Sequence, residues 1–212
     1  RRVGALRPKS RYLLLIPSFF HKRDANLAHL VQENDSLSVN GSMPIIKKVR
    51  GIEPRFGSGC FIAENAVVVG DVVMGERCTV WFNAVVRGDV HSIRIGNDTN
   101  IQDGAVIHCT YQKAKTVIGS RVSIAHTAVV HGCTVEDDVL IGMGAIIMDD
   151  AVIGRGSVIA AGAVVLPGTI VEPESIYAGM PAKKVKDTGP EMREVIARTA
   201  RNYPMYAEWF KE

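Results

Sequence analysis

An aliphatic residue returns at every sixth position along two stretches of this 212-residue chain. One stretch is Ile62, Val68, Met74, Val80 and Val86; the other is Val135, Ile141, Ile147, Ile153, Ile159, Val165 and Val171. Small or polar residues, often glycine, fill the intervals. A six-residue period is the mark of a parallel β-helix, in which each repeat is one short strand and one turn. Three repeats close one triangular coil, so residues 18 apart stack, and successive coils are roughly 4.8 Å apart. The period therefore predicts an all-β domain with aliphatic residues pointing inward and their next neighbours lying near or on the outside.

The period slips three times. The step from Val86 to Ile95 is nine residues, that from Ile107 to Ile118 is eleven, and that from Val130 to Val135 is five. With these slips counted, Arg87, His108 and His131 fall in one outward column on three successive coils. The adjoining column runs Phe82, Asp103, His126, Met143. Three histidines outside the core within about a coil of each other point to a metal, since three neutral imidazoles and a water make an open zinc site. Imidazole equally suits Fe²⁺ or Co²⁺. His126 belongs to a different side of the triangle from His108 and His131, so one chain does not readily converge all three. A cyclic homotrimer, in which a neighbour's His126 faces the first chain's column, removes the difficulty.

The segments Arg87-Gly88-Asp89, Asn100-Ile101-Gln102-Asp103 with His108, and His126 with His131 resemble the γ-class carbonic anhydrases and their bacterial homologues over about residues 43–186. The resemblance implies a left-handed β-helix of hexapeptide repeats, assembled as a trimer with metal at each subunit interface. His108 and His131 would come from one chain and His126 from the next. Arg87 would pair across the interface with an aspartate, Asp103 being the candidate, and Asp89 belongs to the same matched segment. Gln102 would hydrogen-bond the water on the metal. Tyr177, in the segment 176–183, aligns with a pocket tyrosine of many homologues.

The implied reaction is the reversible hydration of carbon dioxide to bicarbonate. Zinc on three imidazoles lowers the pKa of bound water from 15.7 to about 7, which supplies the nucleophile. Each turnover must then shed a proton. The best-studied relatives carry acidic residues in a loop beside the site, but the five extra residues here lie in the stretch 109–116, which holds no carboxylate, and Val90 follows Asp89 where an acid can occur. Metal binding with slow or lost hydration is the expectation. The competing reading is a hexapeptide-repeat acyltransferase or acyl-CoA thioesterase, with a histidine as general base and Lys113, Lys115, Lys183 and Lys184 meeting a CoA phosphate. A scaffold that keeps the trimer and the metal without turnover is the third.

Composition narrows the partners. Hydrophobic residues make up 47% of the chain and aromatics only 6%, which suits a narrow core of Val, Ile and Ala. No apolar run reaches membrane-span length. The net charge of +3 is concentrated in residues 1–42, leaving a near-neutral repeat region that does not suggest nucleic acid. Cysteines at 60, 78, 109 and 133 form no C-x-x-C pair and read as reduced thiols of a cytoplasm-like compartment. Residues 1–42 lack the period and read as a disordered leader or extension outside the fold, upstream of a natural start at Met43. Their first 23 residues are basic and free of acids, so an organelle presequence is the alternative. Residues 187–212 switch to helical spacing: Thr188-Gly189-Pro190-Glu191 is a helix start, and Met192, Val195, Ile196 and Thr199 share one face. That helix is expected to lie against the β-helix domain of residues 43–186.

Overall fold

A two-residue strand can hold only one inward side chain, so a chain built of such strands needs an aliphatic residue in each one and a turn between them. A computed structural model of the protein, which describes residues 43–210, has this form. The strands stack in parallel into a β-helix of three faces, with seven strands on each face among the described residues. The first face carries 45–47, 67–69, 85–87, Val106–His108, Val129–His131, Ile146–Ile147 and Val164–Val165. The second carries 55–56, 72–74, 93–95, Thr116–Ile118, Thr134–Val135, Val152–Ile153 and Ile170–Val171. The third runs from Phe61–Ile62 through Thr79–Val80, Asn100–Ile101, Ser123–Ile124, Leu140–Ile141 and Val158–Ile159 to Ser175–Ala178, where Lys183–Asp187 turns back antiparallel.

The registers follow the corrected period. Val86 pairs with Ile107, Ile107 with Val130, and Val130 with Ile147. These residues, with Ile101, Ile124, Ile141, Ile153 and Ile159 from the other faces, are fully buried. Burial of this kind contributes about 25 cal/mol per Å² of apolar surface, and it recurs on every coil.

The slips become outward excursions. Gly70 pairs with Gly88, but Val72 pairs with Ile93, so residues 89–92 are pushed out of the coil. The two strands approach closely before this excursion: a Cβ on Gly70, whose φ is +78°, would meet the Gly88 carbonyl oxygen at 2.3 Å. The second slip makes the loop after His108, closed by mutual backbone pairing of Thr110 and Ala114.

One turn column between the second and third faces takes left-handed backbone at every level: Gly59, Arg77, Asp98, Arg121, Asp138, Gly156 and Glu174. Left-handed geometry costs a non-glycine residue roughly 1–2 kcal/mol. Here opposite charges stack to offset it, with Arg77 on Asp98 at 2.7 Å and Arg121 on Asp138 at 2.6 Å, each through a second guanidinium hydrogen bond as well. The Arg121 hydrogen bonds hold the Asp138 carboxyl below its ordinary pKa against the opposing effect of burial, and Arg155 helps. A depressed folded-state pKa contributes stability above the unfolded value, about 3.9, and that contribution is lost as pH falls through the folded value. Urea titrations from pH 5 down to pH 2 are expected to show the midpoint falling, with a smaller fall in Arg121→Met. Parallel pH profiles for the two proteins would remove this edge from the account of acid stability.

The chain ends in a helix, Pro190–Glu208, with Pro190 in its first turn after Gly189. It lies along the third face, against Thr79–Val80, Asn100–Ile101 and Ser123–Ile124, and buries Ile196, Ala200 and Ala207. Tyr203 in its last turns and Phe210 just beyond its end pack onto Trp81, with Phe61 and Phe82 completing an aromatic cluster. Among the described residues no helix is long and apolar enough to cross a membrane. Residues 1–42, expected to be a leader or extension, lie outside the described residues.

Candidate metal centre

His108 and His131 each follow an inward aliphatic residue, so each leaves the core at the end of its strand. They are paired neighbours on the first face. Nδ1 of His108 stands 3.1 Å from Nε2 of His131. Each ring turns its other nitrogen to a carboxylate: His108 Nε2 is 3.1 Å from Asp89 Oδ1, and His131 Nδ1 is 2.6 Å from Asp149 Oδ1. Asp89 reaches His108 because the first slip pushes it out of the coil, and Arg87 holds it there at 2.6 Å.

Burial, the largest influence, lowers the pKa of His108, and the Arg87 charge adds to this, while Asp89 pulls the other way. Asp89 and Asp149 both resist ionisation through burial. Hydrogen bonds from Arg87 and His108 in the first case, and from Thr110 and His131 in the second, outweigh that and hold both carboxyls below their ordinary range. Two ionised carboxylates therefore accept the ring N–H of two imidazoles. The nitrogens left over carry lone pairs, and they face each other at 3.1 Å. In these tautomers the two lone pairs repel, and a cation between them, a proton or a metal ion, relieves the repulsion. Two nitrogens held about 2.0–2.1 Å from a tetrahedral zinc stand about 3.3 Å apart, so this donor pair fits a metal.

His126 stands elsewhere, at the turn between the third and first faces, where its Nδ1 is 2.9 Å from Asp103 Oδ2. The third imidazole thus has a carboxylate partner too. Tyr203 of the helix lies near this aspartate; burial first, then Asp103, pushes its hydroxyl up to about 12. Among the described residues of one chain, no three His, Cys, Asp or Glu side chains are gathered to hold a metal. Within one chain the three imidazoles stand in two places, His108 and His131 together and His126 apart.

Within the chain Arg87 pairs with Asp89, and Asp103 with His126. Gln102 is buried and donates its amide to Asn100, which donates to Ser123. Tyr177 stands apart from the three histidines. It stacks on Ile159 at the inward position of the third face, so its ring caps the core. Cys109 and Cys133 point inward, into the core and away from the imidazole rings, and burial raises both thiols, Cys133 to about 12. Lys184 is engaged by Glu172 and Asp187, which leaves it a poor phosphate partner.

A model described as bacterial transferase hexapeptide (six repeats) matches residues 53–88 and 132–167. A "Probable carbonic anhydrase" of Methanocaldococcus jannaschii is 55% identical over 147 residues, which cover 69% of this chain and 92% of that protein. "Gamma carbonic anhydrase 3, mitochondrial" of Arabidopsis thaliana is 48% identical over 73% of this chain and 62% of its own length. The chain belongs to the γ-class carbonic anhydrase family. A solved hexapeptide transferase family protein from Anaplasma phagocytophilum superposes on this family member with a TM-score of 0.75, at 37% identity, covering 78% of this chain and 98% of its own.

For a γ-class carbonic anhydrase relative, the metal implied by the family finds a suitable donor set in these imidazoles. Reading the sequence missed Asp149 and Thr110, which complete the surroundings of His131. A signal existed: Asp149 lies 18 residues, one nominal coil, after His131.

Proposed function

We propose that this protein is a metal-dependent carbonic anhydrase-like enzyme, a lyase that hydrates carbon dioxide reversibly to bicarbonate at a site shared between subunits. The observation that carries the reading is the common dress of the three histidines. His108 and His131 each hydrogen-bond one ring nitrogen to an aspartate, and Nδ1 of His126 lies 2.9 Å from Asp103 Oδ2, which leaves the other nitrogen of each ring for a metal; carboxylate–histidine–metal triads are built in this way. His108 and His131 would hold the ion from one chain and His126 from its neighbour. Zinc is the first choice, with Fe²⁺ and Co²⁺ as alternatives. Bound there, zinc supplies Lewis acidity that lowers the pKa of a water to about 7.

The protein's own part is orientation. Asp89 and Asp149 fix the tautomers of His108 and His131, Asp103 stands against His126, and Arg87 keeps Asp89 ionised and in place. Gln102 and Asp103 are assigned to the edge of the substrate pocket that a neighbour completes. We leave Tyr177 out of this pocket because its ring belongs to the core.

The first face supports the assembly. Its outward row is Ile45, Val67, Val85, Val106, Val129, Ile146 and Val164, all aliphatic. Among the described residues no helix covers this face as the third is covered, and Ile45 is 54% and Ile146 38% exposed. His108 and His131 stand at the edge of this same face. An apolar row beside a half-complete metal site fits a second copy of the chain, and cyclic symmetry closes it as a homotrimer. Sedimentation equilibrium is expected to give about 69 kDa from three 23.0 kDa chains. Val106→Lys is expected to yield monomers that bind little zinc. A wild-type monomer at micromolar concentration would remove the shared site.

The rate is expected to be low and limited by proton release. Among residues 109–116 the exposed side chains are Tyr111, Gln112, Lys113 and Lys115, and none is an acid. Asp149 nearby is already engaged by Thr110 and His131. A positioned acid–base group typically contributes about 10²–10⁴-fold, and this loop offers none. Stopped-flow hydration on zinc-loaded protein should give turnover that rises with buffer concentration. Fast, buffer-independent hydration would contradict this, and full zinc loading with turnover of an acyl-CoA instead would replace the lyase reading. A reducing compartment suits the four cysteines, all free among the described residues. Whether that is the cytoplasm or an organelle turns on residues 1–42.

A further inference from the structure

We infer that Asp149 is a positioning residue for His131, and that the loop of residues 109–116 is the brace that holds both imidazoles of the half-site in register. The inference rests on the metal-site reading above and extends it to residues that the family segments do not include.

The extra loop after His108 has no acid to move protons, yet its two threonines reach the histidine strands. Thr110 donates its hydroxyl to Asp149 Oδ2, while Asp149 Oδ1 accepts from His131 Nδ1 at 2.6 Å. Thr116 is fully buried. Its hydroxyl donates to the His108 carbonyl and accepts the Gly132 N–H at 3.0 Å. One loop thus ties the strand that ends in His108, the strand that ends in His131, and the aspartate behind His131. A carboxylate gripped on one oxygen cannot rotate freely, so its other oxygen stays aimed at Nδ1. That fixes the proton on Nδ1 and leaves Nε2 as the lone-pair nitrogen facing His108.

Gly132 makes the aspartate's approach possible. A Cβ there would come within 2.3 Å of Asp149 Oδ1 and 2.9 Å of Ala114 Cβ, and its φ is +56°. The space for the carboxylate is therefore set by a glycine next to the ligand and by a residue of the loop. The deletion at the third slip and the insertion at the second act on one object: together they bring Asp149, the loop and His131 to the same corner.

The test uses the full-length chain as wild type, Asp149→Ala, Asp149→Asn, Thr110→Val and His131→Ala. Ring ¹⁵N spectra of zinc-free protein at pH 7.5 report the His131 tautomer, and competition with a chromophoric chelator reports zinc affinity. Wild type is expected to show Nδ1–H at His131. Asp149→Ala is expected to shift that ring toward Nε2–H and to weaken zinc about 10–100-fold, the usual effect of losing an outer partner. Asp149→Asn should recover part of the affinity through its amide oxygen, and Thr110→Val should lose less than Asp149→Ala. A merely structural aspartate would lower the melting temperature without moving the tautomer. Wild-type His131 as Nε2–H, or zinc affinity in Asp149→Ala within twofold of wild type, would overturn the positioning role. Failure of the metal reading gives a different result: wild type and His131→Ala would bind zinc equally poorly, while the tautomer would still report on Asp149.

Discussion

His131→Ala is expected to lose zinc about 10²–10³-fold in affinity while the coil stays folded. Four-ligand structural sites bind zinc with roughly 10–16 kcal/mol, so one ligand is worth about 2.5–4 kcal/mol, and each 1.4 kcal/mol is tenfold. His131 is at the edge of its face and outside the core, and its removal opens no cavity there. His108→Ala and His126→Ala should behave alike in metal content, although His126 lies in a different column and has Asp103 rather than His108 as its neighbour. Cys109→Ser is the control, because Cys109 points into the core. Subunit mixing sharpens the result. Trimers that combine His126→Ala and His131→Ala chains regain one intact site each, since one chain supplies the histidine pair and the next supplies His126. Zinc lost in both parents and restored in the mixture is the expected outcome. If Cys109→Ser strips the metal and His126→Ala does not, the ligand assignment fails.

The second large effect lies in the core. Ile107 is fully buried, between Val86 and Val130 in its ladder and immediately before His108. Ile107→Ala is expected to destabilise the protein by about 2–5 kcal/mol, the sum of lost transfer energy and the cavity left behind. In a solenoid each coil packs only on its neighbours, so the defect is not shared across a wide core. For a domain of this size the melting temperature falls roughly 2–4 °C per kcal/mol. Ile107→Val should cost only about 0.5–1.5 kcal/mol. Tyr111→Ala, at an exposed loop position, should stay within about 0.5 kcal/mol of wild type. A loss below about 1 kcal/mol for Ile107→Ala would show that neighbouring coils close the gap.

Most of the architecture was legible in the sequence, because a six-residue period leaves little choice. Every inward position must be apolar, the positions repeat, and a counted slip shifts the register by a known number of residues. For that reason the stacking of Ile107 under Val130, and hence of His108 beside His131, follows from arithmetic. The helix was equally plain, since Gly189-Pro190 and the spacing of Val195 and Ile196 mark a start and a face. The turn column of Arg77, Asp98, Arg121 and Asp138 was not legible. Left-handed backbone is ordinarily signalled by glycine, and here paired charges stand in its place.

The site divides along the same line. The sequence by itself determined which residues leave the core on which coil, and that His126 lies on another side of the triangle from His108 and His131. Tertiary structure decided where their second nitrogens point. Asp89 reaches His108 only because the excursion after Gly88 turns outward. Asp149 reaches His131 only because Gly132 has no Cβ and Thr110 holds the carboxylate from behind. Tyr177, aligned with pocket residues by its motif, turned out to follow the inward beat and fill the core. A linear period specifies position along and around the coil, but the direction of a side chain outside it depends on which partners the excursions bring within hydrogen-bond reach.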